Sequence, residues 1–468
     1  MKISRLTNLS FNFLIVCFYF ILIVYPLNIV LSKLFGINVQ LHYLYYYSLV
    51  LFLGVIIYLR IKRTVIPLVQ SIPNNTINIF IAYILIVAII SIYNGIKLSD
   101  ILVGFRWYGI TFILYYALDT IINSKDKYYK LLNALVRGSL ISAVYTIFEF
   151  LGRNFIRFPD FYFDSLNHYV TNYATFAMNW YVGEAGGRGS YFNEFGFHRP
   201  LGLFLDNHTS SFFMVSGIII LATLGDRLNY KSRKLFNYIA LISIAVILQT
   251  SRLYVMALIL FFIVIIFKKY LLFNQNLPMK NKHIYIYILL VFPLLLIGTV
   301  YEMIIKSYIP MINILSTNTI TTSHIVLSAI RDSIPYILNK LINEFPFNFL
   351  FGFGFSFSRD NVFKLISQVD AHGEMHALMS TFFKLGLVGL AIYFSIFTTA
   401  ILKLFRAFKG GIYNMYKPEA FCGFLLILLF FMSFIHYNSI SYVNQFIMSF
   451  ALFITSRCGI IKKMIPQI

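Results

Sequence analysis

Charged side chains are scarce in this sequence, and acidic ones are the scarcest. Asp, Glu, Lys and Arg together make up 12% of the 468 residues, about half of their share in a typical soluble domain. Hydrophobic residues make up 59% of the chain. Because a soluble fold of this length needs a far more polar surface, the composition excludes an ordinary soluble protein.

Cysteine is almost absent as well. Of the three cysteines, Cys17 and Cys422 lie in apolar stretches and Cys458 lies near the C-terminal end. The long polar segments contain none, so a disulfide framework is not expected. A Walker motif and a Ser-centred nucleophile elbow are also missing, as is an Asp-x-Asp pair in the long polar segments. Nucleotide-driven chemistry and a Mg²⁺-bound nucleotide-sugar donor are therefore unsupported.

Apolar runs of roughly 20 residues recur along the whole chain, and each is long enough to cross the hydrocarbon of a membrane as a helix. We predict an all-α, polytopic membrane protein with about twelve transmembrane helices. No cleavable signal peptide is evident, and the first run is long enough to stay as a helix. The predicted spans are 11–32, 42–60, 76–95, 102–123, 131–151, 203–224, 236–250, 252–268, 283–304, 376–402, 419–436 and 439–456.

The few charges are mostly basic and give a net charge of +21. In a soluble protein this excess would suggest nucleic acid, but the cytoplasmic loops of membrane proteins also collect Lys and Arg. Counted from a cytoplasmic N-terminus, every inner connection is basic, whereas the short outer connections carry little beyond Lys33 and Lys97. We therefore expect both termini in the cytoplasm and no nucleic-acid partner.

Two long segments interrupt the pattern of short connections. We divide the chain into helices 1–5 over residues 1–151, a first outer loop over 152–202, helices 6–9 over 203–304, a second outer loop over 305–375, and helices 10–12 with a cytoplasmic tail over 376–468. Binding and catalytic residues are often found on long loops held by a rigid scaffold. The two outer loops are therefore where we expect the site.

The first outer loop mixes aromatic rings, Trp180 among them, with carboxylates and amides. Flat rings can lie against sugar faces, but the same pattern also fits an interfacial helix with an aromatic belt. Arg199 precedes the sixth span, and Asn207 lies inside its outer end. Polar groups at that depth are costly unless paired, which favours a functional role. The alternative for Arg199 is a side chain that snorkels to the headgroups.

Two further arginines lie in the predicted outer half. Arg252 follows a Gln-Thr-Ser triplet at the outer end of a helix pair. A basic residue on the outer side is unexpected there, because Lys and Arg concentrate in the cytoplasmic connections. Its planar guanidinium suits phosphate oxygens. In the second outer loop we predict a helix around 322–343 that carries Arg331, followed by a sharp, close-packed turn at Gly352 and Gly354.

The second outer loop ends in the densest titratable cluster, Asp370-Ala-His372-Gly-Glu374-Met-His376. A histidine can deprotonate a hydroxyl or, when charged, hold a phosphate. His372 is the first candidate for such a base, with Glu374 or Asp370 behind it. On a helix His372 and His376 would share a face and could bind a metal. Their order differs from the His-Glu-x-x-His of zinc proteases, and we predict no metal.

Four segments, in order and spacing, resemble the O-antigen polymerase and O-antigen ligase superfamily of bacterial envelopes. They cover about 199–395, and the rest of the chain resembles the family only in topology. Gly373 and Lys384 depart from the family, which often has Asn and Glu at these positions. The four segments are Arg199 to Asn207, Gln249-Thr-Ser-Arg252, Arg331 through Phe351-Gly-Phe-Gly354, and Ala371-His372 through Leu385-Gly386-Leu-Val-Gly389-Leu.

The resemblance implies a metal-independent, GT-C-like glycosyltransferase that needs no cofactor. It would act on undecaprenyl-diphosphate-linked sugars at the periplasmic face of the bacterial inner membrane. Arg252 and Arg331 would hold the diphosphate and His372 would sit at the reacting centre. The further candidates are Glu374 for catalysis and Arg199, Asn207, Asp370 and Trp180 for substrate binding.

Within the family, two long outer loops favour a polymerase, which must hold two glycans, over a ligase that moves finished glycan to lipid A–core. A flippase for lipid-linked oligosaccharides predicts short loops and charges buried within helices, whereas the spans here are almost free of charge. Besides the lipid-linked oligosaccharide and membrane lipids, a chain-length regulator in the same membrane is the expected partner.

Overall fold

The computed structural model describes the helical framework of the chain. It covers residues 2–35, 72–93, 95–152, 200–204, 207–249, 341–355, 377–409, 417–436 and 442–457, with single positions around 52–55, 155, 254–261 and 339. Apart from short turns, these residues are helical, and no strand occurs among them.

Ten α-helices and one 3₁₀ turn make up the described part of the chain. They are α1 (Lys2–Phe35), α2 (Ile72–Tyr93), α3 (Leu98–Ile121), α4 (Lys125–Leu151), α5 (Asn207–Leu224), the 3₁₀ turn Gly225–Leu228, α6 (Ser232–Leu248), α7 (Pro346–Phe351), α8 (Ala377–Lys409), α9 (Lys417–His436) and α10 (Tyr442–Arg457).

Five helices contain an apolar stretch long enough to cross a membrane. These stretches are Arg5–Val24, Asn75–Tyr93, Ile101–Ile121, Lys125–Leu151 and Thr381–Leu404. The prediction of an all-α fold is confirmed for the described residues, and the five apolar stretches are compatible with a membrane protein. The number of about twelve spans stays a prediction, because 42–60, 252–268 and 283–304 lie mostly outside them.

Helix α5 forms the centre of the bundle, with α4, α6 and α9 packed around it. Its residues are apolar or small on every side, and nearly all of them are buried, as expected for a helix without a polar face. Ser211 and Ser216 are fully buried and let neighbouring helices approach closely. By contrast, Ile86 and Ile89 of α2 are more than half exposed, which suits a helix that faces lipid.

Ring contacts and hydrogen bonds define one end of the bundle, here called the upper end. Ser211 at the start of α5 donates to Gln249 just after α6, at 2.5 Å. The Phe18 ring lies 6.0 Å from that of Phe213 in α5 and 5.0 Å from that of Phe446 in α10, so the starts of these two helices share one level. Helices α3, α5, α8 and α10 begin at the upper end, and α4, α6 and α9 end there.

Charged and hydroxyl groups tie the opposite, lower end together. Arg227, after α5, lies 3.5 Å from the buried carboxylate of Glu419 at the start of α9. The Tyr230 hydroxyl donates to Asn133 of α4 at 2.7 Å. These contacts fix the end of α5 against the helices that run antiparallel to it.

Helix α8 is broken at Gly386, whose φ of 68° is non-helical. The last carbonyls of a helix have no partner within it, and here another segment supplies the donors. Phe353 N donates to the Phe383 carbonyl at 2.8 Å, and Gly354 N donates to the Lys384 carbonyl at 3.3 Å. The break is therefore bonded internally, as a membrane-embedded backbone requires.

Two glycines make this crossing possible. A Cβ on Gly352, which has a φ of +86°, would lie 2.3 Å from the Lys384 carbonyl oxygen. One on Gly386 would lie 2.4 Å from Gly352 N. The Tyr83 hydroxyl closes the junction by donating to the Leu385 carbonyl at 2.5 Å. The predicted sharp, close-packed turn at Gly352 is confirmed, and its partner is the break in α8.

We expect Gly386→Ala to destabilise the protein by at least about 2 kcal/mol, because an L side chain strains a left-handed backbone and the added methyl meets backbone atoms. The thermal midpoint of the detergent-solubilised protein measures this. Gly54→Ala is the matched control, since no atom lies within 4 Å of its added methyl. Equal midpoints for the two variants would contradict the crossing.

Candidate functional site

Most of the residues predicted for the site lie outside the described residues, so their placement stays a prediction. Asn207 begins α5, but its side chain lies outside the described set too. The structure instead describes the chain next to several of them. The site residues outside the described ranges are Trp180, Arg199, Arg252, Arg331, Asp370, His372 and Glu374.

A buried carboxylate holds the turn that follows Arg199. Glu149, near the end of α4, is 1% exposed. Its two oxygens accept hydrogen bonds from Leu201 N at 3.1 Å and Gly202 N at 2.8 Å. Successive backbone N–H groups of this kind form an anion-binding nest, and bonds to a charged acceptor are the stronger ones. The turn is thereby fixed to α4.

The same turn packs against the end of α6. The Ser210 hydroxyl donates to the Leu201 carbonyl at 3.2 Å. A Cβ on Gly202, whose φ is +79°, would lie 2.4 Å from Gln249 Nε2 and 2.5 Å from Ser210 Oγ. Gln249 is fully buried. Glycine is therefore required here both by the backbone conformation and by the close approach of two side chains.

Gln249 and Tyr254 are described residues on either side of Arg252 in the sequence. Both lie against the start of α5. Gln249, three residues before it, accepts the hydrogen bond from Ser211. Tyr254, two residues after it, shares a hydrogen bond of 2.8 Å with Ser433 of α9. The Tyr254 ring lies 6.2 Å from that of His208. Two of the four motif segments, 199–207 and 249–252, thus meet through their described residues.

The other two motif segments also meet, at the break in α8. The turn at Gly352 and Gly354 belongs to the third segment and Gly386 to the fourth. The third segment is anchored further by Ser91 of α2, whose hydroxyl accepts from Phe355 N at 3.1 Å. Residues 356–376, which carry His372 in the sequence, join the two sides of this junction.

A third polar cluster lies near the starts of α3, α8 and α10. The Lys384 ammonium lies 4.0 Å from the centroid of the Trp107 ring. Gln445 Nε2 donates to the Trp107 carbonyl at 2.9 Å. The hydroxyls of Tyr108 and Thr381 are 3.2 Å apart and hydrogen-bonded. Polar side chains thus connect three helices at the upper end.

Several of these residues were not predicted from the sequence. The spans were expected to be almost free of charge, yet Glu149 lies in the predicted span 131–151 and Lys384 in 376–402, and both are largely buried. An ionisable residue within an apolar span is itself a functional signal, and this signal would have identified both. Tyr83 carried no such signal, because one tyrosine in an apolar helix of this chain resembles many others.

We expect Glu149→Gln to destabilise the protein by about 1–3 kcal/mol, because the amide removes the charge and turns a donor towards one of the two N–H groups. The change is measured as a lower thermal midpoint of the solubilised protein. Asp126→Asn, an exposed position in the first turn of the same helix, is the matched control with an effect below about 1 kcal/mol. An unchanged midpoint in Glu149→Gln would show that the hydrogen bonds from Leu201 N and Gly202 N to this side chain contribute nothing to stability.

Comparison with family models and with curated proteins identified no relative. No family model matches the chain, and no curated protein matches it. The likeness to the O-antigen polymerase and ligase superfamily therefore stays a resemblance. The four motif segments and the two junctions that they form are the features from which a function is inferred.

Proposed function

We propose that this chain is a surface-polysaccharide polymerase of the O-antigen type. It would transfer a growing glycan from undecaprenyl diphosphate onto another lipid-linked repeat unit, on the periplasmic side of the bacterial inner membrane. The observation that carries the proposal is the pairwise meeting of the four motif segments at the upper end of the bundle. Segments 199–207 and 249–252 meet beside Glu149, and segments 331–354 and 371–390 meet at Gly386.

The proposed reaction uses the arginines and the histidine of these segments. A hydroxyl of the acceptor sugar attacks the anomeric carbon of the donor, and the bond from that carbon to the diphosphate oxygen breaks. The hydroxyl proton goes to His372, and undecaprenyl diphosphate leaves with its charge held by Arg252 and Arg331. Fixed cations at a partly dry interface stabilise such a developing charge well. The donor is already activated by its diphosphate, so neither nucleotide nor metal is required.

The described contacts supply the rigidity that such a site needs. Catalytic groups must be held to within a fraction of an ångström, and packing and secondary hydrogen bonds provide this. Glu149 fixes the turn two residues after Arg199, and Ser211 fixes Gln249 three residues before Arg252. A packed and hydrogen-bonded framework next to Arg199 and Arg252 in the sequence supports a functional role for both, and for Arg199 it favours that role over snorkelling to the headgroups.

The distribution of charge supports the finer topology that we propose, with about twelve spans, two large periplasmic loops and both termini in the cytoplasm. At the lower end of the bundle, basic residues cluster around the starts of α4 and α6, as in Lys125-Asp-Lys127 and Lys231-Ser-Arg233-Lys234. The described residues of the upper end include fewer basic side chains, among them Lys97 and Lys384. Because cytoplasmic loops collect Lys and Arg, the lower end is assigned to the cytoplasm.

Two alternatives have different consequences in the cell. A ligase would move finished polymer to lipid A–core. A flippase would carry lipid-linked units across the membrane, and buried charges such as Glu149 are a feature of transporters. Both oxygens of Glu149 are bonded to backbone N–H groups of a packed turn, however, which suits a structural clamp better than the wall of a transport path.

In a deletion strain we expect Arg252→Ala, Arg331→Ala and His372→Ala each to lower polymerisation at least about 100-fold, since each removes charge stabilisation or the general base. The glycan ladder on a gel would shorten to single repeat units that are still exported and ligated. Arg233→Ala is the matched control, because it removes an exposed guanidinium from the lower end of α6.

Other ladder patterns point to other functions. Long polymer that remains on undecaprenyl would indicate the ligase, and complete loss of attached repeat units would indicate the flippase. Normal ladders from variants present at normal levels in the membrane would exclude these three residues from the site.

The proposed orientation of the chain in the membrane is testable by cysteine labelling. Cys17 and Cys422 are buried, so in a Cys458→Ser background an introduced cysteine is the reactive one. We expect Tyr93→Cys, at a residue that is 91% exposed, to react with a membrane-impermeant maleimide in intact spheroplasts. Ser232→Cys, exposed at the lower end, should react only after permeabilisation. The reverse pattern would place the motif segments on the cytoplasmic side.

A further inference from the structure

Lys384 is a buried cation whose charge has little compensation. Its side chain lies in the last turn before the break in α8, seven residues after Ala377 or about 10 Å along the helix. The residue is 9% exposed. Among the described residues, no carboxylate lies within ion-pair distance of its ammonium. The contact described for this ammonium is the cation–π contact with the Trp107 ring.

The contact with Trp107 compensates the burial of this charge only in part. A cation over an indole face is attracted by the ring quadrupole, but more weakly than by an opposite charge. A buried cation normally acquires a carboxylate or several hydrogen-bond acceptors. The described surroundings of Lys384 therefore lack an anion.

The end of the helix does not supply that compensation. A cation near a helix C-terminus is ordinarily stabilised by the free carbonyls there. Here the carbonyls of Phe383 and Lys384 already accept hydrogen bonds from Phe353 N and Gly354 N. The Leu385 carbonyl accepts one from the Tyr83 hydroxyl. These three carbonyls at the break in α8 are thus already engaged by other donors.

The groups around the ammonium are held in place before any ligand arrives. Gln445 Nε2 donates to the carbonyls of Arg106 and Trp107, at 3.2 and 2.9 Å, which fixes this turn of α3 against α10. The hydrogen bond between Tyr108 and Thr381 fixes the same turn against α8. Gln445 Oε1 is buried and accepts no hydrogen bond from the described residues. The turn of α3 that carries Trp107 is therefore hydrogen-bonded to both α8 and α10, and the cation over the Trp107 ring has no counter-ion among the described residues.

We propose that Lys384 and Trp107 form a binding subsite for an anionic group of the substrate, either a phosphate or a carboxylate. Its source would be the diphosphate of the lipid carrier or an acidic sugar of the repeat unit. That the anion belongs to the substrate rests on the proposed function, whereas the binding of an anion at Lys384 does not.

The chain offers a direct optical test, because it contains two tryptophans. Trp180→Phe leaves Trp107 as the single indole, in contact with Lys384. The full-length protein in phosphatidylcholine nanodiscs is titrated with farnesyl diphosphate in one arm and with digalacturonate in the other. Farnesol and galactose are the uncharged controls. We expect a saturable change in Trp107 emission with one of the two anions, and the arm that responds identifies the source.

Lys384→Met keeps the length of the side chain and removes its charge. We therefore expect it to lower the affinity for the anion that gives the response at least about tenfold. Lys384→Arg should retain most of the affinity. Lys403→Met, a lower-end lysine of the same helix whose ammonium bonds the Ser456 carbonyl at 3.0 Å, is the matched control and should leave the titration unchanged. If Lys384→Met does not fold, the same titration of the Trp180→Phe protein at rising salt replaces it, since screening must weaken a charge-driven site.

No response to either anion, an equal response in Lys384→Met, or a response that is insensitive to salt would overturn the subsite and leave Lys384 as a structural cation. These outcomes are independent of the glycan ladder. A ladder that stays normal when the whole chain is deleted, combined with a Lys384-dependent response, would remove the polymerase and keep the anion subsite.

Discussion

In a membrane-embedded chain, every backbone polar group needs a partner within the protein, since the surrounding hydrocarbon offers none. Regular helices meet this demand along their length but not at their ends or breaks. The two junctions of this chain, at Gly202 and at Gly386, both supply such partners. Glu149 and Ser210 bond the turn at Gly202, and the segment around Gly352 bonds the carbonyls freed by the break at Gly386. Non-helical chain can therefore exist at the upper end.

Sequence patterns predicted the helices well and their pairing poorly. Hydropathy identifies each apolar helix, because a span is a property of about 20 consecutive residues. The turn at Gly352 was also predictable, because a Gly-x-Gly pair is a local signal. That the turn would lie against Gly386 was not predictable, since the two are more than 30 residues apart and no pattern in a single sequence records which backbones cross. The site residues themselves, from Trp180 to Glu374, stay predictions.

The two ends of the bundle use charge differently. At the lower end, basic side chains are mostly exposed, and Arg227 pairs with Glu419 across the start of α9. At the upper end two ionisable groups are buried, and they act on the backbone or on a ring: Glu149 on two N–H groups and Lys384 on an indole. Exposed basic residues suit a topology signal. Buried, fixed groups suit a site that must hold its geometry.

The break in α8 also links the framework to the third cluster. A continuous helix would satisfy its own carbonyls, and Lys384 would then be an ordinary residue within a turn. With the break, the carbonyls of residues 383–385 are bonded by Phe353, Gly354 and Tyr83, and none of them is turned over to the ammonium. The crossing that joins the third and fourth motif segments thus keeps these carbonyls engaged, as a continuous helix would. The ammonium of Lys384 has no counter-ion among the described residues, and the proposed anion subsite depends on this buried charge.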